Sequence, residues 1–134
     1  MNPTPILLSS DEAIAEILGE YNSFYDSVVT RIKYELIDDD YELSVGILTK
    51  HRDSPVKARV SISLASPVEF VFREQNTCST VLSQGMFVKR FGDILFVSFD
   101  PYRDDPDTIE EYRQSYFYAA SHKVSLTRLA DVDG

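Results

Sequence analysis

From Ser27 to Leu48 the chain alternates, and two consecutive alternating arms restrict it to a half-buried β-hairpin. In the first arm Val28, Thr30, Ile32, Tyr34 and Leu36 fall on one face, with Arg31, Lys33 and Glu35 on the other. In the second, Tyr41, Leu43, Val45 and Ile47 alternate with Glu42, Ser44 and Gly46. A period of two sends successive side chains to opposite sides of a sheet, so one side packs and the other stays wet. Asp38, Asp39 and Asp40 between the arms are turn formers and poor strand residues.

Further strands are expected along the chain. Val56 to Leu64 alternates with Lys57, Arg59, Ser61 and Ser63, and Val68 to Phe72 follows after a turn at Ala65-Ser66-Pro67. Phe87 to Phe91 and Ile94 to Phe99 flank Gly92-Asp93, a two-residue hairpin signal. The second of these arms is apolar on both faces, which predicts a central strand. Tyr116 to Ala119 and Val124 to Leu129 complete the set, with Ser121-His122 as the turn between them. One helix is predicted over Asp11 to Tyr21. Ser9 or Ser10 is its N-cap, with Glu12 placed for a capping box after Ser9, and Ile14, Ile17 and Leu18 form its apolar stripe. Thr108 or Asp107 caps a brief helix through Tyr112. The spacing of Cys78, Val81 and Leu82 suggests another short helix ending near Gly85.

The expected fold is therefore α+β: a mostly antiparallel, strongly curved sheet of about eight strands, a sandwich or half-barrel, with an N-terminal helix packed on it. Most connections are too short for helical crossovers. Residues 1–134 are read as a single domain, since a chain of this size buries roughly two thirds of its unfolded surface.

Charge and cysteine usage narrow the function. The chain has 22 acidic and 13 basic residues, a net charge of -9. Such a field repels nucleic acid and anionic membranes and attracts basic partners. Cys78 is the lone cysteine, which fits a reducing compartment. Ile6-Leu7-Leu8 is too short for a signal-peptide core, and the expected location is cytoplasmic.

Catalytic inventories are thin. One cysteine and two distant histidines, His51 and His122, do not make a zinc site. The Gly-x-Ser-x-Gly elbow and the Gly-rich phosphate loop are both missing from the sequence. Cys78 has apolar neighbours that disfavour a thiolate. No metal or cofactor is implied. The densest polar cluster is Asp100, Tyr102, Arg103, Asp104, Asp105 and Asp107, whose acids lack EF-hand spacing. It reads as a solvated acidic loop or as a docking surface for a basic partner, and its Tyr and Arg favour docking slightly. A second reading is a small-molecule site within an aromatic curved sheet, where Tyr34, Tyr118 or Arg90 fixes the ligand.

Phe24-Tyr25-Asp26-Ser27 leads directly into the alternating strand. This run resembles the Phe-His-Asp-Ser opening of several small bacterial α+β families, including immunity proteins of polymorphic toxin systems. The likeness continues in Val68-Glu69-Phe70-Val71-Phe72, and in Ser115-Tyr116-Phe117-Tyr118 ahead of Lys123 to Leu129. Tyr25 stands where those families carry histidine. The resemblance implies a non-enzymatic inhibitor that covers a toxin, with a basic protein as partner. In the run itself, Asp26 is expected to brace the turn by accepting backbone hydrogen bonds.

Overall fold

The computed structural model describes residues 4–73, 81–82, 84–99 and 106–129. Cys78 and the residues Asp100, Tyr102, Arg103, Asp104 and Asp105 lie outside that set.

From Ile32 onward the hairpin forms as its alternation demands; a bulge between Val29 and Arg31 breaks the period before that, so Val29, opposite Ile47, packs on the core in place of Val28. β2 (Ser27–Ile37) and β3 (Asp40–Lys50) pair antiparallel, with Ile37 opposite Asp40. The turn is Asp38-Asp39 alone, both at positive φ (49° and 71°). That is the mirror-image geometry that matches strand twist, and Asp tolerates it better than most residues. Asp40 belongs to the strand rather than to the turn.

Around this hairpin lie β1 (Ile6–Leu7), β4 (Lys57–Ala65), β6 (Val81–Leu82) and β10 (Lys123–Arg128). They make a six-stranded sheet in the order β1-β10-β4-β3-β2-β6. A four-stranded sheet, β5-β9-β8-β7, is built from β5 (Glu69–Phe72), β7 (Phe87–Phe91), β8 (Ile94–Ser98) and β9 (Phe117–Ser121). Every pairing is antiparallel. β8 is central and buried on both faces, as its apolar run requires.

The chain passes between the sheets at two corners. β4 runs into β5 through Ser66, at φ 42°. β9 runs into β10 through His122. The buried Ser121 hydroxyl donates to the carbonyl of Ala65 and accepts the Lys123 amide at 3.1 Å, tying both corners together. The two sheets thereby curl around one core as a half-barrel. Val45, Ile62 and Leu126 from the large sheet meet Val97, Phe117 and Ala119 from the small one in that core.

Helix α1 (Asp11–Glu20) closes the core's side. Ser10, not Ser9, is its cap, accepting the Ala13 amide at 3.1 Å. The third helical residue is then Ala13, so the expected capping box with Glu12 does not form. Ile14 and Ile17 are buried in the core. α2 (Ile109–Arg113), capped by Thr108, seats Tyr112 against Phe91 and Phe96 on the small sheet's outer face.

The strand count among the described residues is ten, not about eight. The two additions, β1 and β6, are two residues long and carry no periodicity to read. β6 also corrects the short helix expected around Val81 and Leu82: these residues instead pair with Val28 and Ser27. No described helix is long and apolar enough to cross a membrane.

Candidate docking site

The hairpin outruns its neighbours, and this decides what its inner face can do. β4 ends at Ala65, opposite Glu42. Beyond that point the large sheet is the hairpin alone. Inward-facing Val45 and Leu43 are fully buried, but the next residues on the same face, Tyr41, Tyr34 and Leu36, are half exposed or more (50%, 51% and 59%). Tyr34 stacks on Tyr41 at 5.1 Å between ring centroids and leans on Phe70 of β5 at 5.8 Å. Val68, half exposed, precedes β5. The result is an aromatic patch contiguous with the core but uncovered. The turn acids Asp38 and Asp39 lie at its far end, while Glu35, Asp40 and Glu42 are on the opposite face of the same hairpin. An exposed apolar patch that carries tyrosines is the kind of surface protein interfaces use.

Those residues singled out for docking in the sequence that the structure describes sit elsewhere. Asp107, the described member of the acidic cluster, pairs with Lys89, and its backbone N–H donates to Glu111 at 3.3 Å. In the opening run, Phe24 is fully buried and Tyr25 is 57% exposed. The Ser27 hydroxyl bonds Thr49 at 2.6 Å inside the core. Asp26 adopts φ 58° and its backbone N–H donates to Leu82 at 2.8 Å. The brace at this turn is therefore its backbone; its carboxylate bonds no backbone group among the described residues. Asn22, Ser23 and Phe24 are also left-handed (φ 53°, 54° and 61°), a run of strained residues that leads from α1 into β2.

Two titratable clusters are spent on structure. Glu20, at the end of α1, receives the Arg128 guanidinium at 2.6 and 2.7 Å. His51 Nδ1 accepts the Asp53 amide at 3.0 Å, leaving its proton on Nε2, which faces Glu20 at 3.4 Å. Burial pushes the Glu20 carboxyl upward, but Arg128 and His51 outweigh it and hold it below the ordinary carboxylate value. On the other sheet Glu69 takes Arg113 at 2.9 and 2.6 Å and the Tyr118 hydroxyl at 2.9 Å. Arg113's hydrogen bonds, against an opposing push from burial, hold Glu69 low. His122 meets Asp93 instead, at 3.4 Å. Among the described residues no group of three or more His, Cys, Asp or Glu gathers to hold a metal.

No family model matches the chain, and neither a curated protein nor a solved structure matches it significantly.

The ligand-fixing groups proposed from sequence scatter. Tyr118 is committed to Glu69, and Tyr34 lies in the docking patch. Arg90 lines a cavity of about 460 Å³ between α1 and β7, with Ile14, Leu18, Met86 and Val88. This cavity lies beside the small sheet's free edge and is largely aliphatic. Arg90 Nη2 is shut from solvent and bonds nothing among the described residues, and Nε stands 4.0 Å from Asp11. Periodicity missed the patch because it assigns Tyr34, Leu36 and Tyr41 to the packed face. The signal that could have found it is strand length: each arm of the hairpin has 11 residues, β4 has nine and β5 four.

Proposed function

We propose that this chain is a non-enzymatic protein-interaction domain, immunity-like in kind, that docks a basic protein against the distal inner face of its hairpin. One observation carries the reading: Tyr34, Leu36 and Tyr41 continue the core face past the point where the core covers them, next to the acidic turn Asp38-Asp39. Burying a leucine- or tyrosine-sized side chain contributes about 1.5–3 kcal/mol, so this patch supplies affinity. The acidic turn beside it, on a chain of net charge -9, favours a cationic partner and speeds its approach. The setting is cytoplasmic, in keeping with a single cysteine.

The test is capture of basic proteins at low and moderate salt by the wild-type chain and by Tyr34→Ser/Leu36→Asp. Both residues are half exposed, so the variant keeps its melting temperature. Capture that is salt-sensitive and lost in the variant supports the docking face. Capture unchanged by the variant removes it, and failure of every basic candidate at low salt removes the function.

A further inference from the structure

The outward face of the large sheet carries its charges in segregated order. Register fixes its rows: Lys33 lies beside Ser44 and then Ser63, Arg31 beside Gly46 and then Ser61, and Leu48 beside Arg59. The acids of β2 and β3 on this face, Glu35, Asp40 and Glu42, gather toward the hairpin tip, whereas Arg31, Lys33 and Arg59 hold the middle. There Gly46 contributes no side chain, and the surface dips. A cleft of about 380 Å³ results, lined by Arg31, Lys33, Ser44, Ser61 and Arg59 around Gly46.

Arg31 and Arg59 reach this cleft from opposite sides. They stand two strands apart, roughly 10 Å across the sheet, and one same-face row apart along it, a span that two arginine stems are long enough to bridge. Neither has an ion-pair partner among the described residues. The Ser44 and Ser61 hydroxyls likewise make no hydrogen bond among the described residues. Glu35 sits on the rim, neutralised by Lys33 at 3.0 Å.

We propose that this cleft binds the phosphate group of a small phosphorylated molecule. Two guanidinium forks supply bidentate donors to a dianion, and two hydroxyls add donors over the glycine floor. The ligand is small because the net charge of -9 and the acids toward the hairpin tip repel a long polyanion. The site uses the side of the sheet opposite the aromatic patch, so the two surfaces act independently.

Calorimetric titration at low ionic strength tests the assignment, with phenyl phosphate, inorganic phosphate and benzoate as probes. Phenyl phosphate is expected to bind saturably with one site. Its affinity should rise severalfold between pH 5 and pH 7 as the second phosphate proton leaves near pH 6, and benzoate should bind at least tenfold more weakly. Arg31→Met and Arg59→Met each keep the side-chain stem and should lower affinity tenfold or more, with the melting temperature unchanged. The folded state of each variant is verified by circular dichroism, and Ser61→Ala provides a second, gentler lesion expected to cost severalfold. Affinity equal in wild type and both arginine variants overturns the proposal. So does benzoate binding as tightly as phenyl phosphate, or binding of a single-stranded RNA oligomer without binding of phenyl phosphate.

Discussion

Gly85→Ala is the sharpest test of how the strained run entering β2 is held. Gly85 sits at φ 85°, and a Cβ there would press into the Ser23 carbonyl oxygen, which is backbone and has no rotamer to yield. That same oxygen accepts the Met86 amide at 2.8 Å, and the Gly85 amide bonds Leu82 at 3.0 Å. The substitution thus incurs a left-handed penalty of about 1–2 kcal/mol. Displacing the Ser23 carbonyl costs about 1 kcal/mol more through its hydrogen bond. The sum is roughly 3 kcal/mol, which for a domain of this length lowers the melting temperature by about 10 °C. Gly92→Ala is the internal control. Gly92 also has positive φ, 67°, but nothing lies within 4 Å of a Cβ built on it. It therefore incurs only the conformational penalty, about 1–1.5 kcal/mol, or roughly 5 °C. Urea unfolding followed by circular dichroism, with an unchanged slope, measures both. Equal losses in the two variants would falsify the claim that close approach of residues 23 and 85 locks this turn.

Three further outcomes are expected. Ser27→Ala strands the Thr49 hydroxyl in the core and should cost about 1–3 kcal/mol in urea unfolding, whereas Ser27→Ala with Thr49→Val should recover most of it, and no recovery refutes the pairing. Asp26→Ala should destabilise by about 1 kcal/mol while Asp26→Gly holds or gains stability, since the residue's φ is positive; a larger loss in the glycine variant points to the side chain instead. Glu20 and Glu69 have folded values below the ordinary 4.5, so the stability they contribute is present above that pH and is lost as pH falls through the lower folded values. Acid titration of Glu69→Gln, followed by fluorescence, should show a shallower loss below pH 4.5 than wild type, and an unchanged profile sinks the assignment.

Much of the fold was legible because period-two alternation survives wherever one sheet face is buried. The eight longer strands and both helices fall where apolar spacing and capping residues place them. The misses have a common origin. Ile6–Leu7 and Val81–Leu82 are two residues each, and two residues cannot display a period. Val81 and Leu82 read equally as helix because a short apolar pair fits either template. Asp26 was recognised as a turn residue, but a preference for left-handed backbone and a preference for capping look alike in sequence. The candidate site was the least legible part. Tyr34 and Leu36 obey the same alternation as Ile32, and only the shortness of β4 and β5 leaves them uncovered.

The distribution of satisfied polar groups is one support for the proposal that this scaffold serves recognition. Apart from Arg90 Nη2, the polar groups drawn out of water among the described residues are matched within the molecule: Glu20 to Arg128, Glu69 to Arg113 and Tyr118, Ser27 to Thr49, Ser98 to Ser115. A group committed in this way has little left to give a substrate, because releasing it from its partner costs the full desolvation of a buried charge or hydroxyl. Much of the remaining capacity lies on the two sides of one hairpin. Its inner face ends in rings and a leucine without cover, and the outer face around Gly46 holds guanidinium groups and hydroxyls that have no partner among the described residues. Alternation is what separates them: a strand that must bury every second residue necessarily exposes the others, and a hairpin longer than its sheet exposes both sets at once.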